Sequence, residues 1–234
     1  MSIQNALLIT SALVTLFGLF AIFMIKEEPG YRKAKPYFII FYLLNFALYY
    51  LASTIPDYQT RDELYLLVLI LTLSTAMLTV GITVRCRRPE LEKATYAVTS
   101  IFVLSLLSGE FVELAETIFT IANVLIVLIA IVKKQPKANV ADYGLVAILF
   151  IWSLFSIVEA QFINDLSSTT EYFNSFMVIE LLVVPANIFG VTIFIVTSYM
   201  MDSYVILERV AKLDPLTELL NRRALFERIA IQEN

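Results

Sequence analysis

Few side chains in this 234-residue chain could do chemistry, and most of those are acids. Histidine is absent, which excludes His-ligated haem, His-based zinc or copper sites and any Ser-His or Cys-His catalytic dyad. The single cysteine, Cys86, lies in the run Arg85-Cys86-Arg87-Arg88 and has no partner for an internal disulfide. Its basic neighbours would lower a thiol pKa, although a plain loop thiol in a reducing compartment is the simpler reading. Glu110, Glu113 and Glu116 stand at roughly helical spacing, with Glu159 and Glu180 further on. Trp152, Phe155 and Glu159 are three and four residues apart and share one helical face, and Glu180 and Asn187, seven apart, share another. Glu110, Glu113, Trp152, Phe155, Glu159, Glu180 and Asn187 therefore form a candidate pocket of aromatics and acids. Such a pocket suits a cation, an amine or another small molecule, or a proton. The competing reading puts these acids in water at headgroup level and leaves the amides, including Asn45 and Asn123, to join helices. No metal site is expected.

The elements that must position these residues are set by apolar blocks. The chain is 59% hydrophobic and 16% charged, with a mean hydropathy of +0.79, against about 25% charged residues in a soluble domain. Uncharged blocks run over Met1–Ile25, Tyr37–Thr54, Leu64–Val84, Thr95–Gly109, Thr117–Val132, Tyr143–Val158 and Leu181–Met201. A bilayer core of about 30 Å takes roughly 20 helical residues, so the fourth, fifth and sixth blocks need their polar ends to complete a crossing. The first block has no basic residue before it and no small-residue cleavage site, which argues against a secretory signal.

The expected fold is an all-α polytopic membrane protein. It has seven transmembrane helices, the N-terminus outside, and a last helix extended into a cytoplasmic signalling helix. With that topology sixteen of the seventeen Lys and Arg residues fall on one side, and only Arg61 lies opposite. That is the positive-inside distribution. The outer loops are acidic, with Asp57, Asp62, Glu63, Glu110, Glu113, Glu116, Asp165 and Glu171. All eight lysines lie in inner loops or the tail, so no transmembrane lysine could form the Schiff base of an opsin-type pigment. Pro185 predicts a kink in the seventh span, and the Thr72, Ser74, Thr75, Thr79 and Gly81 run predicts a close-packing third helix. Membrane lipid is the expected surround, and no nucleic-acid partner is expected.

Beyond Met201, the positions Val196, Met200, Ser203, Leu207 and Val210 follow a spacing of four and three, a heptad-like seam through which two copies could pair. Pro185, Met200, Leu207 and Val210 are thus assigned to a signalling helix. The next stretch, Leu213-Asp214-Pro215-Leu216-Thr217-Glu218-Leu219-Leu220-Asn221-Arg222-Arg223-Ala224-Leu225-Phe226, resembles the opening of the GGDEF family of diguanylate cyclases. That family typically begins D-x-L-T-G-L-x-N-R-R-x-F after a helical linker. Asp214, Leu216, Thr217, Leu219, Asn221, Arg222 and Arg223 match, and Glu218 replaces the usual Gly. An ordinary helix started by Asp214 and Pro215 is the competing reading.

The resemblance covers about twenty residues. It implies a division into a sensor domain at 1–201, a linker at 202–213 and the start of a GGDEF domain at 214–234. It further implies a homodimer in a bacterial inner membrane, with the C-terminus cytoplasmic. The catalytic residues of that family, and the GTP and Mg2+ they bind, would belong to sequence beyond this chain, which has no catalytic residue or cofactor of its own. The chain thus reads as an input module regulating a C-terminal cyclase. The alternative is a small seven-helix transporter or ligand-binding membrane protein.

Overall fold

A computed structural model describes residues 3–27, 33–54, 61–108, 112–134, 137–166, 170–212, 219 and 221. The described residues form seven α-helices and no strand: α1 (Ile3–Met24), α2 (Lys35–Thr54), α3 (Arg61–Arg85), α4 (Pro89–Ser108), α5 (Val112–Val132), α6 (Val140–Leu166) and α7 (Thr170–Ala211). Four of them are long and apolar enough to cross a membrane, over Leu66–Arg85, Ala115–Val132, Val140–Ile157 and Val183–Glu208, and α1 adds a shorter apolar stretch at Ile9–Met24. The polar ends of the short blocks do join their helices. Helix α4 starts at Pro89, six residues before its uncharged block, and carries Glu90 and Glu92 in its first turn.

The packing is a ring. Helices α1, α2, α3, α5, α6 and α7 each pack against the next, α7 closes on α1, and α4 lies outside against α3 and α5. Polarity is arranged inside out. Leu13, Phe20, Ile101, Leu104 and Ile151 are exposed, while Ser11, Thr15, Asn45, Thr72, Ser74, Thr79, Asn123 and Thr192 are buried. An apolar surface of that extent would drive aggregation in water, and lipid is the solvent that fits it.

Small residues let the ring close. Gly144 of α6 faces the ring of Phe194 on α7, and Gly190 of α7 faces Ile148 on α6, so the two helices exchange a large side chain for a missing one. Gly81 in α3 sits against Phe38 of α2, where a Cβ would come within 2.7 Å of the ring. Asn45 on α2 donates to Ser74 Oγ on α3 at 2.5 Å and to the Phe41 carbonyl at 2.9 Å, joining two helices through an amide. Tyr42 and Thr192 meet hydroxyl to hydroxyl at 2.6 Å, linking α2 to α7.

Helix α7 has 42 residues, about 63 Å at 1.5 Å per residue, roughly twice the thickness of a hydrocarbon core. It runs on through Pro185, which is buried. Val184, Ile188, Val191, Ile195 and Ser198 are buried on one face. Past Asp202, Ser203 to Glu208 are all exposed, so the helix end stands clear of the bundle.

Candidate functional site

The chemistry-bearing side chains that the fold brings together lie where α3 and α5 end and α6 begins, the end that carries the basic loops. Arg85 is the last residue of α3, Lys134 follows α5, Asn139 and Asp142 open α6, and Ser198 and Asp202 are one turn apart on α7. Side-chain exposure is 5% for Arg85, 2% for Lys134, 0% for Asp142 and 24% for Asp202. Two cations and two anions are thus buried as a neutral group. Charges so placed hold only when each is paired and hydrogen-bonded.

Every oxygen of the two carboxylates is used. Asp142 Oδ1 accepts from Arg85 Nη1 at 2.7 Å and from Ser198 Oγ at 2.5 Å. Its Oδ2 accepts from Lys134 Nζ at 2.7 Å and from the Asn139 N–H at 2.9 Å. Asp202 Oδ2 accepts from Arg85 Nη2 at 2.5 Å and Lys134 Nζ at 2.9 Å, and its Oδ1 from Lys134 Nζ at 2.9 Å and Asn139 Nδ2 at 3.0 Å. Among the described residues Arg85 Nε is left buried without a hydrogen-bond partner.

Local structure explains how these groups arrive. The Asp142 N–H donates to Asn139 Oδ1 at 3.0 Å while Asp142 Oδ2 takes the Asn139 N–H. This is a reciprocal capping box at the start of α6, and it also puts a carboxylate at the positive end of the helix dipole. At the end of α3 the Arg88 N–H reaches the Thr83 carbonyl and the Arg87 N–H reaches the Val84 carbonyl, both at 3.0 Å. Arg87 takes the left-handed conformation, φ 60°, that such a Schellman closure requires and that glycine usually fills. The helix therefore stops abruptly, and the Arg88 guanidinium donates to the Lys133 carbonyl, tying this turn to the end of α5.

The network continues to the first two helices. The Arg85 guanidinium lies over the Tyr199 ring, 4.8 Å from its centroid, within cation–π range. Tyr199 donates to Glu27 Oε1 at 3.2 Å, and the same oxygen accepts from the Ala34 and Lys35 N–H groups at 2.7 and 2.9 Å, capping α2. Lys35 Nζ donates to the Phe23 and Ile25 carbonyls at 2.7 and 3.1 Å, capping α1 in return. All six helices of the ring are thereby bound together at one end.

The sequence-predicted pocket is placed less fully. Glu110 lies outside the described residues. Glu113, Glu159 and Glu180 lie on α5, α6 and α7, with side chains outside the description. Trp152 and Phe155 stack on one face of α6 with ring centroids 5.7 Å apart. Asn187 Oδ1 is buried and without a partner among the described residues, as is Asn123 Oδ1, while Asn123 Nδ2 returns to the Phe119 carbonyl of its own helix. No group of three or more His, Cys, Asp or Glu among the described residues could hold a metal ion. Of the tail motif, Asp214, Leu216, Thr217, Arg222 and Arg223 lie outside the described residues. Leu219 is exposed. Asn221 donates its N–H to the Lys212 carbonyl at 2.9 Å and its Nδ2 to the Ala211 carbonyl at 2.7 Å, capping the end of α7.

Sequence reasoning treated Arg85 and Lys134 as loop charges and passed over Asp142 and Asp202. The available signal was that both acids directly flank uncharged blocks on the basic side, and that Asn139-x-x-Asp142 has capping-box spacing. The Cys86 thiol is buried, and that burial pushes its pKa up to about 11 against the pull of Arg85 and Lys134. The basic neighbours do pull the pKa down, but burial outweighs them and the net shift is upward. Comparison of the chain with models of protein families, with curated proteins and with solved structures finds no match.

Proposed function

We propose that this chain is the membrane-embedded input module of a signalling protein, with α7 as its output helix. In this reading seven spans cross a bacterial inner membrane, the N-terminus is outside, and α7 enters the cytoplasm. There it leads to a diguanylate cyclase whose opening motif is carried by residues 214–226. The residues that would bind GTP and Mg2+ are not among these 234.

The observation that carries the reading is the two-faced pattern of α7. Val184, Ile188, Val191, Ile195, Ser198 and Asp202 recur every four and three residues and turn toward the bundle. Ala186, Phe189, Ile193, Val196, Met200, Ser203, Leu207 and Val210 recur with the same alternation on the opposite side, and all but the half-buried Val196 are exposed. That second series has the a/d phase of a parallel coiled coil. It extends the seam found in the sequence by three positions toward the middle of the helix. Asn221, a residue of the GGDEF-like motif, caps the end of the same helix, so the motif is attached directly to the output element. A homodimer joined through α7 would bring two output domains together, and a ligand that shifts α7 would control their meeting.

The test is a fusion of a GGDEF catalytic domain after Asn234, reconstituted in liposomes and assayed for cyclic di-GMP from GTP. Synthesis that falls at least tenfold with Leu207→Glu supports the reading. A folded, membrane-inserted fusion that makes none removes it. A second reading, a small carrier, is favoured by one feature: a ring of six helices whose basic end is closed by ion pairs resembles a shut inner gate. Substrate flux in proteoliposomes, lost on substituting Glu159 or Glu180, would support that alternative.

A further inference from the structure

The charge cluster is asymmetric with respect to α7, and the asymmetry allows one axial register. On its buried face α7 offers Ile195, then Ser198, then Asp202, with Ile206 one turn beyond. Ser198 Oγ donates to Asp142 and receives Arg85 Nη2, both at 2.5 Å, in a place with no exposure. Asp202 holds Lys134 and Arg85 nearer the edge, at 24% exposure.

A slide of one helical turn is about 5.4 Å. In one direction it carries Asp202 into the place of Ser198. Two carboxylates then face each other where no water reaches, and Ile206 is left opposite Lys134 and Arg85. In the other direction Phe194 enters the hydroxyl's place, and Ser198 faces two cations that Asp142 alone must balance. Either shift buries unpaired charge, the costliest error available in such a site. Sliding by less than a turn breaks the short contacts without offering new ones.

We propose that Arg85, Lys134, Asp142 and Asp202 are positioning residues that lock the axial register of α7 against the rest of the ring. On the reading of α7 as output helix, a signal then leaves the bundle by tilting or turning α7 at this point and never by a one-turn slide. The cluster also supplies what an unaided apolar helix interface lacks. Above it, the Gly144–Phe194 and Gly190–Ile148 notches and the Tyr42–Thr192 hydrogen bond favour the same register, and the cluster adds to them the penalty of unpaired buried charge.

The test uses the full chain in lipid nanodiscs, with spin labels at Tyr143→Cys on α6 and Tyr204→Cys on α7 in a Cys86→Ser background. Both tyrosines are exposed. The intact cluster gives one narrow distance distribution. The paired replacement Lys134→Met with Asp202→Leu removes one cation and one anion, leaves the Arg85–Asp142 pair, and keeps the site neutral. The distribution then broadens or shifts by several Å, up to about the 5.4 Å of one turn, with helix content unchanged. Asp202→Asn alone gives the same change where it folds. Paired replacement in a folded protein with an unaltered narrow distribution overturns the proposal. The measurement needs no enzymatic output, so an inert cyclase fusion and an unaltered distance are separate failures, the first of the cyclase reading and the second of the register lock.

Discussion

Replacing Asp142 by asparagine keeps the shape of the side chain and removes its charge, and the structure sets the cost. Asp142 is fully buried and accepts from four donors, two of them cations. An amide must turn its NH2 either toward Arg85 and Ser198 or toward Lys134 and the Asn139 N–H. In the first orientation it meets a guanidinium and in the second an ammonium and an amide, donor against donor. Asp202 is then the single anion facing two buried cations. Breaking a buried pair from one side costs about 3–5 kcal/mol, and loss of the Asn139 cap bond adds to it. For a chain of this size each kcal/mol moves the melting midpoint by about 2–4 °C, so a fall on the order of 10 °C is expected in detergent. Size-exclusion chromatography after a heating series measures it, with Glu208→Gln as reference. Glu208 pairs with Lys212, both about half exposed, a contact worth roughly 0.3–0.5 kcal/mol. Adding Lys134→Met to Asp142→Asn restores neutrality and should recover a good part of the loss. Equal midpoints for Asp142→Asn and Glu208→Gln would refute the assignment of this cluster as a buried, coupled group.

Three further outcomes follow from other parts of the structure. Gly144→Leu should separate α6 from α7, because its first new atom meets the Phe194 ring; about 1–3 kcal/mol is expected from overpacking, and a thermal midpoint partly recovered by Phe194→Ala checks it. Cys86 should resist alkylation, since a thiol raised from 9.0 to about 11 carries about 100-fold less thiolate at pH 8 and is also buried. Its labelling rate should climb as pH rises toward 11 and lag far behind Lys133→Cys at pH 8, and equal rates would contradict its burial. Arg87→Gly should stabilise the fold by about 1 kcal/mol, because φ 60° strains any residue with a Cβ, and an unchanged or lower midpoint would count against the Schellman closure.

Much of the architecture is legible in the residues alone. Five of the seven uncharged blocks fall wholly within a helix, and the first and fourth make up most of α1 and α4, because an uninterrupted apolar run in lipid has to satisfy its backbone internally. The separation of α4 from α5 follows the break between the fourth and fifth uncharged blocks. The role of Asn45 as a join between helices was also readable, since a buried amide needs a partner. The Thr72 to Gly81 run marked α3 as a close-packed helix, and α3 packs against α2, α4 and α5.

The charged side chains divide differently. A hydropathy pattern assigns Arg85 and Lys134 to one side of the chain because charge sidedness is a property of the sequence. How deep they lie is decided by what stands opposite: Lys134 meets Asp142 eight residues on, but the other ion pairs join residues 57, 68 and 117 apart along the chain. No local spacing encodes such a meeting. The same holds for α7. Its sequence has apolar residues on every side, and only packing against α1 and α6 distinguishes the face that is covered from the face left bare. The sequence by itself determined which segments are helical and which solvent they suit. Tertiary structure alone decided which charges are buried together, because pairing across a ring of helices depends on distances that the order of residues does not contain.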